Sequence, residues 1–347
     1  MNAWTTSGPM TALDERMQAL EEAADAAMLA PSVHGSQPWT IVLHRDRIEL
    51  RADRSRQLRA LDAAGRELTL SLGAALFNIR VALAARGWAV DIARFPDPAA
   101  PDRAAVVWPV PGAPDSGISQ LAAVVPERRT NRRDFLAEEV PDELLPHLSA
   151  AAAAEDTVLV PVLSDEHRHL VARLTREADT LQAEDPDCAA DRARWQTADL
   201  TPSRSTPEPD RFTVDSETGA DRSFVVLATR TDEPPAWLRA GEAMERVLLE
   251  LERLGWRARP MSQVLEVPVT RAAIRSALTW EDHPQMLVRI GFAAAQRSPR
   301  RLRDEVVRNS LRPPGAEVRD DGPAPPPAQS VPWSVPVSDG RGGTTWV

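Results

Sequence analysis

Lysine is absent from this chain of 347 residues, so all 41 of its basic side chains are arginine. Against 51 Asp and Glu they leave a formal net charge of −10. An acidic chain is poorly suited to wrapping nucleic acid, whose affinity comes from neutralising phosphates. Any anion must instead meet a local cluster of arginines, whose planar forks suit phosphate. Cysteine is nearly absent as well. Cys188 stands alone, which excludes an internal disulfide, and no Cys/His set has the spacing of a zinc site. Cys188 lies near Asp187 and Asp191 with no activating cation in view, and His167 and His169 face different ways on one predicted helix. Met1 to Met10 lack the basic and apolar regions of a secretory signal, and no apolar run approaches the ~20 residues of a membrane span. No G-x-G-x-x-G, phosphate-binding P-loop or G-x-S-x-G occurs, so neither a Rossmann site nor a serine-hydrolase elbow is supported. What remains by default is a soluble cytoplasmic protein, without nucleic-acid or membrane partners. Its 43% hydrophobic and 27% charged residues are ordinary for that class.

The sequence does contain a repeat. Gly73-x-Ala75-Leu76-x-x-Ile79-x-Val81-x-Leu83-x-x-x-Gly87-Trp88 returns, at one constant offset, as Gly241-x-Ala243-Met244-x-x-Val247-x-Leu249-x-Leu251-x-x-x-Gly255-Trp256. In both copies the apolar positions suit one buried face of a helix, which a glycine ends before a tryptophan opens the next segment. A repeat spanning about half the chain suggests two related units packed as a pseudo-symmetric pair, a homodimer fused into one polypeptide.

Along the chain, Ala12 to Ala30 reads as a helix stopped by Pro31. Trp39–Leu43 and Ile48–Ala52 read as a hairpin. The first repeat helix runs from about Arg66 to Arg86, with short strands at Val90–Phe95 and Ala105–Val110. The turn-rich stretch from Pro109 to Gly117 separates the halves. Helices follow near Ile118–Val125 and Asp142–Ala153, a strand at Val158–Leu163, and a helical region from Asp165 to about Asp199 broken near Pro186. Residues 200–221 are polar and Pro-containing, a loop or lid. Phe224–Thr229 and Met286–Ala293 read as strands around the second repeat helix, Trp237–Leu254. From Pro313 on the chain is Pro-rich and aperiodic, extended or disordered, with Trp333 and Trp346 available to dock.

Three segments could carry chemistry. Pro31-Ser32-Val33-His34-Gly35-Ser36-Gln37-Pro38-Trp39 offers amides and small polar groups on a backbone held by two prolines, which suits the polar rim of a flat heterocycle. A Pro-bracketed turn with a helix cap is the plainer reading. Arg128-Arg129-Thr130-Asn131-Arg132-Arg133-Asp134-Phe135 is the densest cationic cluster; if extended, Arg129, Asn131 and Arg133 share a face that fits a phosphomonoester. A solvated charge run competes with that reading. Arg300 and Arg301 could add cations to the same anion, or pair with Asp304 and Glu305.

Together these segments resemble the FMN-dependent nitroreductase family, in its Acg-like branch of longer, fused chains. The resemblance runs through Ala30–Trp39, Asp53-Arg54-Ser55-Arg56, Gly65-Arg66-Glu67-Leu68, Arg128–Phe135, Gly241–Trp256 and Pro284–Gly291, over residues 12 to 310. It implies an α+β, nitroreductase-like fold in which residues 12–110 form one half and 117–310 the other, around two central helices. Residues 311–347 would be a Pro-rich tail. It further implies one FMN across the pseudo-dimer interface, with the mirror site degenerate and the chain able to be monomeric. Pro31, Ser32, Val33, His34, Gly35 and Gln37 would hold the ring, and Met261, Ser262 and Gln263 would approach its N5 edge. Arg129, Asn131, Arg133, Arg300 and Arg301 would hold the phosphate. The chemistry would be the flavin's, reduced by NAD(P)H and passing hydride to a small oxidised acceptor, with no catalytic side chain and no metal. Gly35 stands where the family pattern has Asn, and Asn131 where it has Ser; a one-residue shift would use Arg128, Thr130 and Arg132 instead. Sequestration of FMN without turnover, and a flavin-free interaction or stress protein on the same scaffold, are the alternatives.

Overall fold

The computed structural model describes residues 12–131, 135, 140–196, 224–292, 301–310, 336–338 and 344–346. Residues 1–311 form one compact unit and 312–347 a second. The first unit is α+β. It opens with helix α1 (Ala12–Ala27), whose buried face is Ala19, Leu20, Ala23, Ala24 and Ala27. The expected helix to Ala30 stops early because Leu29 and Ala30 donate to carbonyls three residues back, tightening the last turn ahead of Pro31. Then come β1 (Trp39–Leu43), β2 (Ile48–Ala52), helix α2 (Arg66–Ala85), β3 (Ala89–Arg94) and β4 (Arg103–Val110). The helix expected near Ile118–Val125 is a short α3 (Ser116–Ser119) continued by a 3-10 turn over Gln120–Ala123.

The second stretch repeats this order with insertions. Helix α4 (Leu144–Ala153) leads to β5 (Val158–Pro161), then to α5 (Asp165–Glu184) and α6 (Pro186–Gln196). Strand β6 (Phe224–Thr229), helix α7 (Pro234–Arg253) and β7 (Arg257–Met261) follow. Two short helices, α8 (Gln263–Glu266) and α9 (Pro268–Ile274), and a π-turn over Arg275–Thr279 precede β8 (His283–Gly291). The chain then reaches α10 (Arg303–Val306) and β9 (Val307–Asn309). One sheet has the order β3-β4-β2-β1-β9 and the other β7-β8-β6-β5, so each half lays its four strands in the same order. Strand β9 comes from the end of the second stretch yet pairs, in parallel, with β1 of the first. In the second unit, β10 (Pro336–Ser338) pairs antiparallel with β11 (Thr344–Trp346), a ribbon that the aperiodic sequence did not announce.

The two repeat helices pack on one another at the centre, and their contact is reciprocal. A Cβ on Gly73 would lie 2.0 Å from the Leu238 carbonyl oxygen, and one on Gly241 would lie 2.1 Å from that of Leu70. Leu70 and Leu238 occupy equivalent repeat positions, so this is the self-complementary contact of a two-fold interface. Both helices also end alike. Gly87 and Gly255 take φ of +83° and +82°, while the Trp88 and Trp256 amides donate to Leu83 and Leu251, the Schellman pattern twice over. Helix α2 is apolar enough, at a hydropathy of 1.6, to pass the length and composition test for a membrane span, but 83% of that window is buried inside the protein. It reads as a core helix.

Between the halves lies a buried ion network. Arg80 from α2 donates to Glu155 at 2.6 Å and to Glu242 at 2.7 Å, and Arg94 from β3 donates to both Glu242 oxygens. Arg239 and Arg246 of α7 add contacts to Glu155.

Candidate functional site

The segment between α1 and β1 is a tight, strained loop. Val33–Gly35 form a 3-10 turn, and φ is +46° at His34, +71° at Gly35 and +46° at Gln37. Left-handed backbone at two non-glycine residues persists only where surrounding bonds hold it. Here Val33 N donates to Ser71 Oγ at 3.0 Å and Gln37 N to Ser32 Oγ at 2.9 Å. Gly35 N and Ser36 N donate to the Ser32 and Val33 carbonyls. Four of the amides that the sequence offered to a ligand thus serve the loop itself. The polar groups left to a ligand are side chains, foremost Ser36 Oγ, which is buried and has no partner among the described residues. Gly35 in place of Asn keeps the backbone requirement, since both tolerate the left-handed region.

Residues from the other half meet this loop. Met261 ends β7, and the chain turns through Ser262 and Gln263 into α8. Glu266, whose side chain is 1% exposed, is the hub of the contact. Its Oε1 lies 3.0 Å from His34 Nε2 and accepts from Ser262 Oγ at 2.6 Å, and its Oε2 accepts from Gln182 Nε2 at 2.7 Å. Gln182 in turn is held by Arg192 of α6. Gln263 Oε1 is buried without a described partner. Beneath the loop, Arg66 at the start of α2 donates to Glu67 at 2.7 Å and to the Gln285 and Leu265 carbonyls. Asp62 caps the same helix, accepting from the Glu67 and Leu68 amides.

The electrostatics of this cluster are divided. Burial alone would raise Glu266, yet the hydrogen bonds and charge from His34, with Ser262 and Gln182, hold it at about 2. Glu67 is pushed well above the usual carboxylate range by burial first and by the neighbouring Glu266 charge second. Glu67 Oε2 is buried and finds no hydrogen-bond partner among the described residues.

The arginines fall in two places. Arg301 lies with the loop: its amide donates to Gln37 Oε1 at 3.2 Å, and its guanidinium to the Gln37 and Trp39 carbonyls. Arg56 Nε donates to the Ser36 carbonyl at 2.6 Å. Burial and then their mutual repulsion lower Arg56, with burial alone the cause at Arg301, the signature of two cations brought together. Arg301 Nε is buried without a hydrogen bond, 3.8 Å from Glu305 Oε2, the pairing that competes with a ligand for this arginine. The cluster near 130 lies alongside β7. Thr130 bridges Ala258 in parallel and Asn131 N donates to the Ala258 carbonyl at 3.0 Å, so the backbone there is extended. Arg128 is buried, donating to the Leu29 carbonyl at 2.8 Å with Glu245 3.2 Å away. That removes Arg128 from a ligand-facing register and ties the segment to the end of α1, two residues from Pro31. Arg129 is half-buried and donates to the Arg128 carbonyl. Phe135 lies against Gly291, with Arg289 over its ring at 5.2 Å. Arg132, Arg133, Arg300 and the stretch 200–221 lie outside the described residues.

Four participants were not singled out as site residues from the sequence: Arg56, Glu67, Gln182 and Glu266. Arg56 and Glu67 sit inside quoted motifs. Glu266 and Gln182 belong to helices whose polar residues read as solvated until the two halves are brought together.

No protein-family model matches the chain. Among curated proteins it is 33% identical over 293 residues, 79% of this chain and 85% of the relative, to "Putative NAD(P)H nitroreductase Rv3131" of Mycobacterium tuberculosis. It is 31% identical over 314 residues, 83% of this chain and 94% of the relative, to "Putative NAD(P)H nitroreductase acg" of the same species. Among solved structures, the FMN-dependent nitroreductase NfnB from Mycobacterium smegmatis in complex with NADPH aligns at 17% identity and a TM-score of 0.40, over 56% of this chain and 99% of that one. A nitroreductase with bound FMN from Desulfitobacterium hafniense aligns at 17% identity and a TM-score of 0.37, over 52% and 92%. On the identity and coverage of the first two relatives, the chain belongs to the nitroreductase superfamily.

Proposed function

We propose that the protein is an FMN-dependent NAD(P)H oxidoreductase that reduces a small oxidised acceptor at one site between its two halves. The supporting observation is the convergence of Ser32–Gln37 from the first half with Ser262–Glu266 and Arg301 from the second. This convergence leaves Ser36 Oγ, Gln263 Oε1 and Arg301 Nε as buried polar atoms without a hydrogen bond among the described residues. Those atoms fit FMN: a hydroxyl and an amide oxygen for the ring edge, and paired arginines for an anionic end. Ser36, Gln37 and Gln263 would hold the ring, and Arg301 with Arg56, or Arg129 with Arg133, the phosphate. When bound, FMN supplies hydride transfer, and the protein supplies placement and charge. The names of the relatives supply the nicotinamide reductant. A cytoplasmic setting without a membrane, in a chain that is its own pseudo-dimer, completes the reading.

Purified protein should be yellow, with FMN released on heating; a colourless protein that takes up no added FMN would overturn the reading. Arg129→Ala with Arg133→Ala, compared with Arg301→Ala, locates the phosphate. The responsible set should cost about 2 kcal/mol or more of FMN affinity through lost charge-assisted bonds, read by fluorescence titration.

One observation favours storage of FMN without turnover. Helix α6 packs over the Val33–Gly35 turn, and Asp191 accepts from the Ala60 amide at 2.7 Å, so the second half covers the loop. Anaerobic titration separates the two: bleaching by NADH or NADPH supports turnover, and an oxidised spectrum that persists supports storage.

A further inference from the structure

Reduction of an acceptor by hydride also needs a proton, and one side chain at this site is placed to give it. His34 projects from the strained turn with its side chain 21% exposed, so it faces both the site and solvent. Its Nε2 is fixed on Glu266, while Nδ1 has no hydrogen-bond partner among the described residues. Glu266 is held in place, because Ser262 and Gln182 donate to it. A fixed carboxylate on Nε2 keeps a proton on that nitrogen, so the imidazolium carries its second, mobile proton on Nδ1. The same logic of carboxylate, imidazole and outward nitrogen orients general acids elsewhere.

We propose that His34 is the proton donor to the acceptor and that Glu266 is the positioning residue that holds it. The proposal rests on the flavin reading above. For a quinone-type acceptor the balance is simple. The carbonyl compound takes hydride, two electrons and one hydrogen nucleus originating in NAD(P)H. The Nδ1–H bond of His34 breaks, its electron pair stays on the ring, and the proton forms the new O–H bond. The neutral imidazole recovers a proton from solvent at its exposed edge. The charged and titratable groups facing the pair are Glu67, Asp62 and Arg66 at the start of α2, Asp179 on α5, Arg192 on α6 and Arg259 on β7. Of all the carboxylates there, Glu266 is the one in direct contact with the imidazole, at 3.0 Å.

The test uses the full-length protein loaded with FMN, with His34→Asn and Glu266→Gln. After full reduction by one equivalent of NAD(P)H, reoxidation by 1,4-benzoquinone in the stopped flow should slow by about 100-fold or more in His34→Asn. Nitrogen-15 spectra of the imidazole without FMN give an independent reading: the neutral ring should carry its proton on Nε2, and that preference should weaken in Glu266→Gln. Reoxidation of His34→Asn at the wild-type rate, or a neutral ring protonated on Nδ1, would overturn the proposal while the flavin reading stands. Wild-type protein that takes up no FMN would overturn both.

Discussion

Glu245 sits in the middle of α7 with its side chain fully buried, Arg128 Nε 3.2 Å away and Asn78 nearby. Burial raises it, the two partners offset part of that, and the net result is a carboxyl at about 7. The folded state thus holds a proton that the unfolded chain releases near 4.5. Its stabilisation is complete below that pH and is lost as pH rises toward 7, by about 3 kcal/mol. Glu266 works in the opposite sense: held at about 2, it stabilises above 4.5 and that contribution is lost as pH falls. Glu245→Gln should flatten the stability profile between pH 4.5 and 7, measured by urea unfolding across that range. None of this is legible in the sequence, where Glu242, Glu245, Glu250 and Glu252 look like one solvated acidic face. The loop from Pro31 to Trp39 was legible because proline and glycine punctuate it. The role of its amides was not, because Ser71, which accepts from Val33, lies on another element.

At the scale of elements, the repeat predicted both central helices, and the structure adds that their glycines do different work. Gly87 and Gly255 terminate helices with open space around a would-be Cβ, whereas Gly73 and Gly241 sit where the backbones touch. Alanine at Gly87 or Gly255 should therefore cost about 1 kcal/mol, and by the same amount at both. Alanine at Gly73 or Gly241 should cost about 2 kcal/mol or more, because a helix must move. Thermal unfolding of the four single variants checks the ranking. The hairpin β1–β2 was legible from alternation, and strand β6 from a short continuous apolar run, which fits its burial at all six positions. Strands of three residues, β9 among them, are too short to show a period.

For the whole molecule, Glu242 is the residue on which the two halves lean, since it accepts from Arg80 and Arg94 of the first and belongs to α7 of the second. Glu242→Ala leaves Arg94 without its buried partner and Arg80 with Glu155 alone, a loss of about 3 kcal/mol. Calorimetry should show a single transition lowered by roughly 5 °C. Neither Arg80 nor Arg94 has a charged counterpart one repeat away, so the network could not be read from the repeat. Strand β9 has a consequence for how the molecule is made. The sheet begun by residues 39–52 is finished by Val307–Asn309, so on the ribosome the β1 edge stays open until nearly all of the first compact unit has emerged. The amino-terminal half cannot mature ahead of the other. The nascent chain must wait for Val307–Asn309, and a chaperone that shields a bare strand edge is the helper this order of assembly calls for.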